Sequence, residues 1–393
     1  MPAAVLDVNI CDLPEMLDGL EGYDQAFVLL RAGLRPAARL WLPVEEGRVP
    51  GTLIQNLAEE NITPDVWQQI IAEEIASRSQ QEKSPPAAAV TVAVITRERP
   101  DDLRRCLEAL LAQPDDGQEI LVVDSAPETN RTQRLAASYG ERIRYLRVER
   151  RGASTARNSA LAAAKGDIVL FTDDDAFPEP GWQRALLRHF EDPLVLCATG
   201  LVLPYELETD AQYWFERYCP HGRGFLRVVF DAVDHDPLAV AAAGVSASMA
   251  LRKSTLDIIG GFEEALSPGT PTYSGEDTEI YSRILCAGYR IVYDPAAVSW
   301  HRHRRSWPEL RSALFGYGTG VYAQWMHTLF MQREAGILRL PPSWLLQTQL
   351  PNLVRSLFRR EGSYPLDRLL AELLGCANGP FAYLTSRRRL SEG

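Results

Sequence analysis

Three consecutive aspartates, Asp173-Asp174-Asp175, follow the apolar run Ile168-Val169-Leu170-Phe171-Thr172. Carboxylates this close repel one another, and holding them where a buried strand leaves a sheet is costly unless a cation sits among them. A strand end is also where open α/β sheets hold their ligands. Two readings fit the triplet: a seat for a divalent cation carrying a phosphorylated substrate, or an acidic turn before the next helix. Nearby segments bear on the choice. Asp124 closes the run Leu121-Val122-Val123, where it can accept hydrogen bonds from a base or ribose, or simply start a turn. Gly152-Ala153-Ser154 opens a helix with Ser154 at the N-cap position, and Arg157 on that helix either reaches a nucleotide or lies in solvent. Ser274-Gly275-Glu276-Asp277 has capping-box spacing. Asp277 also suits a general base, because a helix N-terminus favours negative charge. In Trp300-His301-Arg302-His303-Arg304-Arg305, His301 can ligate a metal and arginines can clamp a diphosphate, while Arg302 and His303 read as a solvated basic run.

The turn after the first strand of this region reads Thr96-Arg97-Glu98-Arg99-Pro100. It has no glycine for close approach of the backbone to a pyrophosphate, and no GK[ST] loop occurs in the chain. Nucleotide phosphates would therefore need another neutraliser. The triplet with a hard cation, Mn²⁺ or Mg²⁺, can be one, since such ions take one or two carboxylates together with phosphate oxygens and water.

The elements that must position these residues form an α/β pattern. Residues 90–95, an apolar β-branched run, and 120–123, 143–148 and 168–171 read as strands separated by segments of helical spacing, which implies a mostly parallel sheet covered by helices. Residues 1–84 read as a small α+β accessory unit. Strands at 26–31 and 38–43 flank the hairpin signal Gly33-Leu34-Arg35-Pro36, and a helix capped by Thr63 places Val66, Ile70, Ile71 and Ile75 on one face. Ser84-Pro85-Pro86 reads as a linker. Residues 203–238 read as an irregular insertion, 275–287 as a helix and 290–293 as a strand. Residues 306–393 form a helical extension, in which 344–358 are amphipathic; the stripe is expected to pack on its own domain, with a peripheral membrane or partner contact as the alternative.

A net charge of −11 argues against a nucleic acid as the main partner. Six scattered cysteines without a CxxC pair read as reduced thiols of a cytoplasmic protein, and the first residues lack the pattern of a signal peptide.

Taken in order, Val94-Ile95-Thr96-Arg97 with Pro100, Val122-Val123-Asp124-Ser125, Ala156-Arg157-Asn158, Asp173-Asp174-Asp175, Gly260-Gly261-Phe262, Glu276-Asp277 and Gly288-Tyr289-Arg290-Ile291 resemble the motifs of the family 2 glycosyltransferases over residues 89–305. The resemblance implies the GT-A fold, a Rossmann-like α/β architecture, and an inverting transfer of a sugar from a nucleotide-diphosphate donor, UDP-linked, to the hydroxyl of a glycan, lipid-linked or other acceptor. It assigns Asp277 as catalytic base. Thr96, Arg97, Asp124, Arg157, Asp173 and Asp174 would contact the nucleotide sugar, and Glu276 the acceptor. Asp175, Asp173 and His301 would meet the metal, Mn²⁺ or Mg²⁺. Ser125-Ala126-Pro127 departs from the Asn-x-Ser that often follows the second-strand aspartate in that family. A sugar-phosphate nucleotidyltransferase and a catalytically silent sugar-binding protein are the competing readings.

Overall fold

The computed structural model describes residues 2–79, 89–358 and 364–392; the linker read at Ser84-Pro85-Pro86 lies outside them. A nine-stranded sheet organises the chain. Its parallel block runs Ile168–Asp173, Val90–Thr96, Glu119–Ser125 and Arg144–Val148. Met249–Arg252 pairs antiparallel to Ile168–Asp173 and joins the block to Val195–Pro204, whose other neighbour is the parallel strand Arg290–His301. Two antiparallel of these pairings in succession restore the direction, so both long strands point the same way as the block. Ala176–Pro178 and Val228–Phe230 pair antiparallel with Arg290–His301. Consequently Thr96, Ser125, Asp173 and His301 all arrive at one edge of the sheet.

Alternation along the strands builds a core on each face. Ala93 and Ile95 point into one cluster with Phe171, Tyr281 and Ile284; Val92 and Val94 point into the other with Leu103, Leu170 and Trp182. Burial on both faces explains why the strands read as continuous apolar runs.

The N-terminal hairpin forms as Gln25–Ala32 against Arg35–Pro43, and Thr63 accepts from Val66 N at 3.4 Å as a cap. A strand absent from the sequence reading, Ala3–Asn9, lies parallel to Gln25–Ala32. Ala26, Val28 and Leu30 face the unit's own core, while Phe27 and Leu29 pack on Leu201, Leu203 and Val298 of the large sheet. The helix Pro64–Ser79 departs from expectation: Val66 is buried, but Ile71 and Ile75 are exposed.

The strand Arg290–His301 runs eight residues beyond its expected end at Tyr293, through Pro295, because the pairing with Val195–Pro204 slips at Gly200/Leu201 and accommodates the imino acid. Asp294 holds this bulge. Its carboxylate accepts from Ala296 N at 3.0 Å, Arg188 Nε at 3.0 Å and lies 2.6 Å from His189 Nε2. Burial pushes Asp294 up, but His189 and Arg188 outweigh it and hold the carboxyl well below the usual range. A depressed folded value stabilises the protein above the ordinary carboxylate value and the gain is lost as pH falls through the folded one. Asp294→Asn is therefore expected to cost about 3 kcal/mol at neutral pH, with the deficit shrinking below about pH 4; thermal unfolding of both proteins across that range checks it.

Candidate active site

The edge where the parallel strands end opens into a cavity of about 680 Å³. Its wall includes Thr96 and Arg97 from the first turn, the whole aspartate triplet, Asp277 and His301. Tyr317 and Ser312 enter from the helix Trp307–Phe330.

The triplet is held by cations and hydroxyls of the protein itself. Asp174 accepts from Thr96 Oγ1 at 2.8 Å and faces Arg99 Nη1 at 3.3 Å. Burial, with Asp175 beside it, pushes Asp174 up to about 7. Asp175 uses its two oxygens differently. Oδ2 meets Arg99 at 2.9 Å and Arg304 at 3.5 Å, whereas Oδ1 lies 3.4 Å from His301 Nε2. Burial again acts upward on Asp175, yet His301, Arg304 and Arg99 together pull it far below the ordinary value. One carboxylate of the pair is thus kept ionised beside a neighbour pushed toward neutrality.

Asp173 is the most open of the three and lies 3.4 Å from Arg157 Nη2. Arg157 is only 2% exposed, so it does not lie in solvent; it lines the cavity. It donates to Glu276 Oε1 at 2.8 Å and to Ser246 Oγ at 2.9 Å and forms the cavity floor. Glu276, expected to meet the acceptor, is 3% exposed and turned to Arg157; burial pushes it up to about 7. Its Oε2 has no hydrogen-bond partner among the described residues. Asp124 lies outside the cavity wall. It is fully buried and accepts from Tyr145 Oη at 2.9 Å, and the neighbouring Ser125 lines the cavity instead.

Local backbone explains how Asp277 is presented. The expected caps do not form. Gly275, at φ +110°, is the N-cap of Glu276–Cys286 and no side chain caps it; Ser274 Oγ donates instead to Gly316 O at 3.3 Å. A Cβ at Gly275 would stand 2.8 Å from Gly320 O, and Tyr273 before it also has positive φ, so the loop is pressed against the Trp307–Phe330 helix by close contact. Likewise Gly152, not Ser154, precedes Ala153–Ala163, and Ser154 Oγ donates to Leu266 O at 2.7 Å. Asp277 sits in the first turn, half-buried in the cavity wall; Oδ1 accepts from Thr278 N at 2.8 Å, and the carboxylate makes no ion pair among the described residues.

His303 is not in a solvated run. It is 2% exposed, with Nδ1 3.0 Å from His301 Nδ1 and Nε2 3.0 Å from Glu216 Oε2, and Glu216 faces Arg39 of the N-terminal unit at 3.2 Å. Burial, and then the charge of His301, lowers His303 well below the usual imidazole value. Sequence reasoning missed this string because Glu216 and Arg39 are remote in the chain; Arg302, by contrast, does pair with Asp102 at 2.6 Å near the surface.

Among the described residues, no three His, Cys, Asp or Glu side chains converge to hold a metal by themselves. Asp175 Oδ1 and His301 Nε2, an oxygen and a nitrogen 3.4 Å apart beside an open cavity, do suit two positions of one divalent ion whose remaining ligands are phosphate and water.

Residues 91–256 match the family model described as Glycosyl transferase family 2. The match covers less than half of the chain, and over these residues the chain is similar to the family 2 glycosyltransferases. Asp277 and His301 lie beyond the matched span. The chain is similar to the pre-mycofactocin glycosyltransferase of Mycobacterium tuberculosis, 30% identical over 233 residues, which are 58% of this chain and 46% of that protein. It is also similar to the O-antigen chain rhamnosyltransferase WbaN of Salmonella anatum, 27% identical over 198 residues, 50% of this chain and 60% of that one. The chain spans about half the length of the curated relatives it matches. Among solved structures, the mannosyltransferase of Pyrobaculum calidifontis in complex with GDP-Man and Mn²⁺ superposes with a TM-score of 0.49 at 21% identity, covering 82% of this chain and 93% of that one.

The Arg157–Glu276 pair yields a test. Arg157→Leu strands a buried carboxylate and is expected to cost about 3–5 kcal/mol. Adding Glu276→Gln should recover part of that loss, because it removes the uncompensated charge; chemical denaturation of the single and double variants measures both.

Proposed function

We propose that this chain is an inverting glycosyltransferase that uses a divalent metal and a UDP-sugar donor. The observation that carries the reading is the division of labour among the carboxylates of one cavity. Asp174, Asp175 and Glu276 are each engaged by an arginine, and Asp173 faces Arg157. Asp277 lines the same cavity without a cationic partner among the described residues, which leaves it available to accept a proton.

In this reading the donor diphosphate lies along the edge formed by Thr96, Arg97 and the triplet. Arg99 and Arg304 stand within reach of its oxygens and can exchange part of their contact with Asp175 for contact with phosphate. Asp175 and His301 would hold Mn²⁺ or Mg²⁺, which when bound neutralises charge developing on the leaving diphosphate. Asp277 takes the proton of the acceptor hydroxyl as that oxygen attacks the anomeric carbon from the face opposite the diphosphate. The C1–oxygen bond to the acceptor forms, the C1–oxygen bond to the diphosphate breaks, and UDP leaves with that electron pair. Arg157 and Glu276 act as scaffold, keeping Asp173 and the first turn of the Asp277 helix in fixed relation.

Asp277→Asn is expected to lower turnover about 10²–10⁴-fold, while UDP binding measured by calorimetry with Mn²⁺ stays near wild type. Turnover at the wild-type rate in that variant removes Asp277 from the role. Asp175→Ala is expected to abolish the Mn²⁺-dependent part of UDP binding. Free UDP as product supports sugar transfer; release of pyrophosphate instead would identify a nucleotidyltransferase.

A further inference from the structure

Two C-terminal helices carry several large apolar side chains on the outside, although Leu369 and Tyr383 are buried. On the helix Leu366–Glu392, the buried positions include Gly375, Cys376, Gly379, Ala382 and Ser386. This small-residue face lies tightly on the helix Trp307–Phe330: a Cβ at Gly375 would stand 2.1 Å from Phe315 O. The outward positions are Leu370, Leu374, Phe381 and Leu384, with Leu374 65% and Phe381 71% exposed. A helix facing water has the reverse arrangement. The preceding run repeats the inversion. Gln349 and Ser356 are buried there, while Leu346, Leu350, Val354, Leu357 and Phe358 are exposed, and Leu350–Leu357 packs beside Leu366–Glu392. The expected packing of the 344–358 stripe on its own domain is thus not what the structure shows.

The charges around this surface say what covers it. In a chain of net charge −11, the exposed ionic residues of these helices include Arg355, Arg388 and Arg389. The exposed acids are Asp367, which faces Arg311 at 3.0 Å, and Glu392. A second copy of the chain would bring the same arginines toward one another. An anionic bilayer answers both features, its acyl boundary taking the leucines and phenylalanines and its headgroups the arginines. No helix among the described residues is long and apolar enough to cross a membrane, so the contact would be peripheral.

We propose that the outward face of these two helices docks on an anionic lipid surface. The Trp307–Phe330 helix behind it supplies Ser312 and Tyr317 to the cavity wall, so docking holds the cavity one helix layer from the bilayer.

Flotation of the whole chain with vesicles tests this, using phosphatidylcholine alone and phosphatidylcholine with about one third phosphatidylglycerol. The chain is expected to float with the anionic vesicles and to bind the neutral ones roughly tenfold more weakly. Leu374→Glu with Phe381→Glu should abolish flotation, and Arg388→Glu with Arg389→Glu should weaken it roughly tenfold, both without change in thermal unfolding. Absence of flotation, or flotation indifferent to both variant pairs, overturns the proposal. So does sedimentation showing a dimer that Leu374→Glu with Phe381→Glu dissociates. A chain that turns over donor yet ignores vesicles loses this surface and keeps the reading of its cavity.

Discussion

Five carboxylates crowd one edge of the sheet, and their mutual repulsion in a partly buried setting is the constraint to which the surrounding structure answers. Asp173, Asp174, Asp175, Glu276 and Asp277 all line one cavity. Each of the first four meets an arginine from elsewhere in the chain: Arg99 from the turn after Val90–Thr96, Arg157 from the helix before the triplet strand, and Arg304 from beyond the last strand. Without those cations the edge would have to protonate or open. In the proposed reading the same balance would suit a substrate that brings both negative phosphates and a positive ion, because arginines and carboxylates could then trade partners without leaving a charge unmatched.

That constraint also accounts for the parts of the chain farthest from the cavity. His301 is fixed on one side by Asp175 and on the other by His303, and His303 by Glu216, which lies against Arg39. The N-terminal hairpin that bears Arg39 packs Phe27 and Leu29 on the large sheet near Val298, three residues before His301. The accessory unit therefore braces the strand that delivers the histidine. Asp294, lower on that strand, sets the bulge that carries it past Pro295.

The parallel block was legible in the chain because most of its strands are local apolar, β-branched runs set between segments of helical spacing, and the placing of Thr96, Asp173 and Asp175 at one edge follows from that alternation. Three kinds of feature were not. The strands Val195–Pro204 and Met249–Arg252 contain small residues and gain their identity from partners remote in sequence. The caps expected at Ser154 and Ser274 were displaced by tertiary hydrogen bonds to Leu266 and Gly316. The orientations of Asp124, Arg157, Glu276 and His303 depended on Tyr145, Asp173, Ser246 and Glu216, none of which a local pattern ties to them. Likewise, the periodicity of 344–358 revealed an amphipathic stretch but not which side faces out; the structure buries Gln349 and Ser356 and leaves Leu346, Val354 and Leu357 exposed.

The most direct measurement is anomalous diffraction at the manganese edge from crystals of this chain grown with UDP and Mn²⁺. The expected result is one manganese peak bonded to Asp175 and His301 and shared with the diphosphate, with Asp277 left unbound across the cavity. UDP well ordered in the cavity with no metal beside Asp175, or manganese held by Asp277 instead, would contradict the central claim that the acidic strand end is the seat of a charged leaving group.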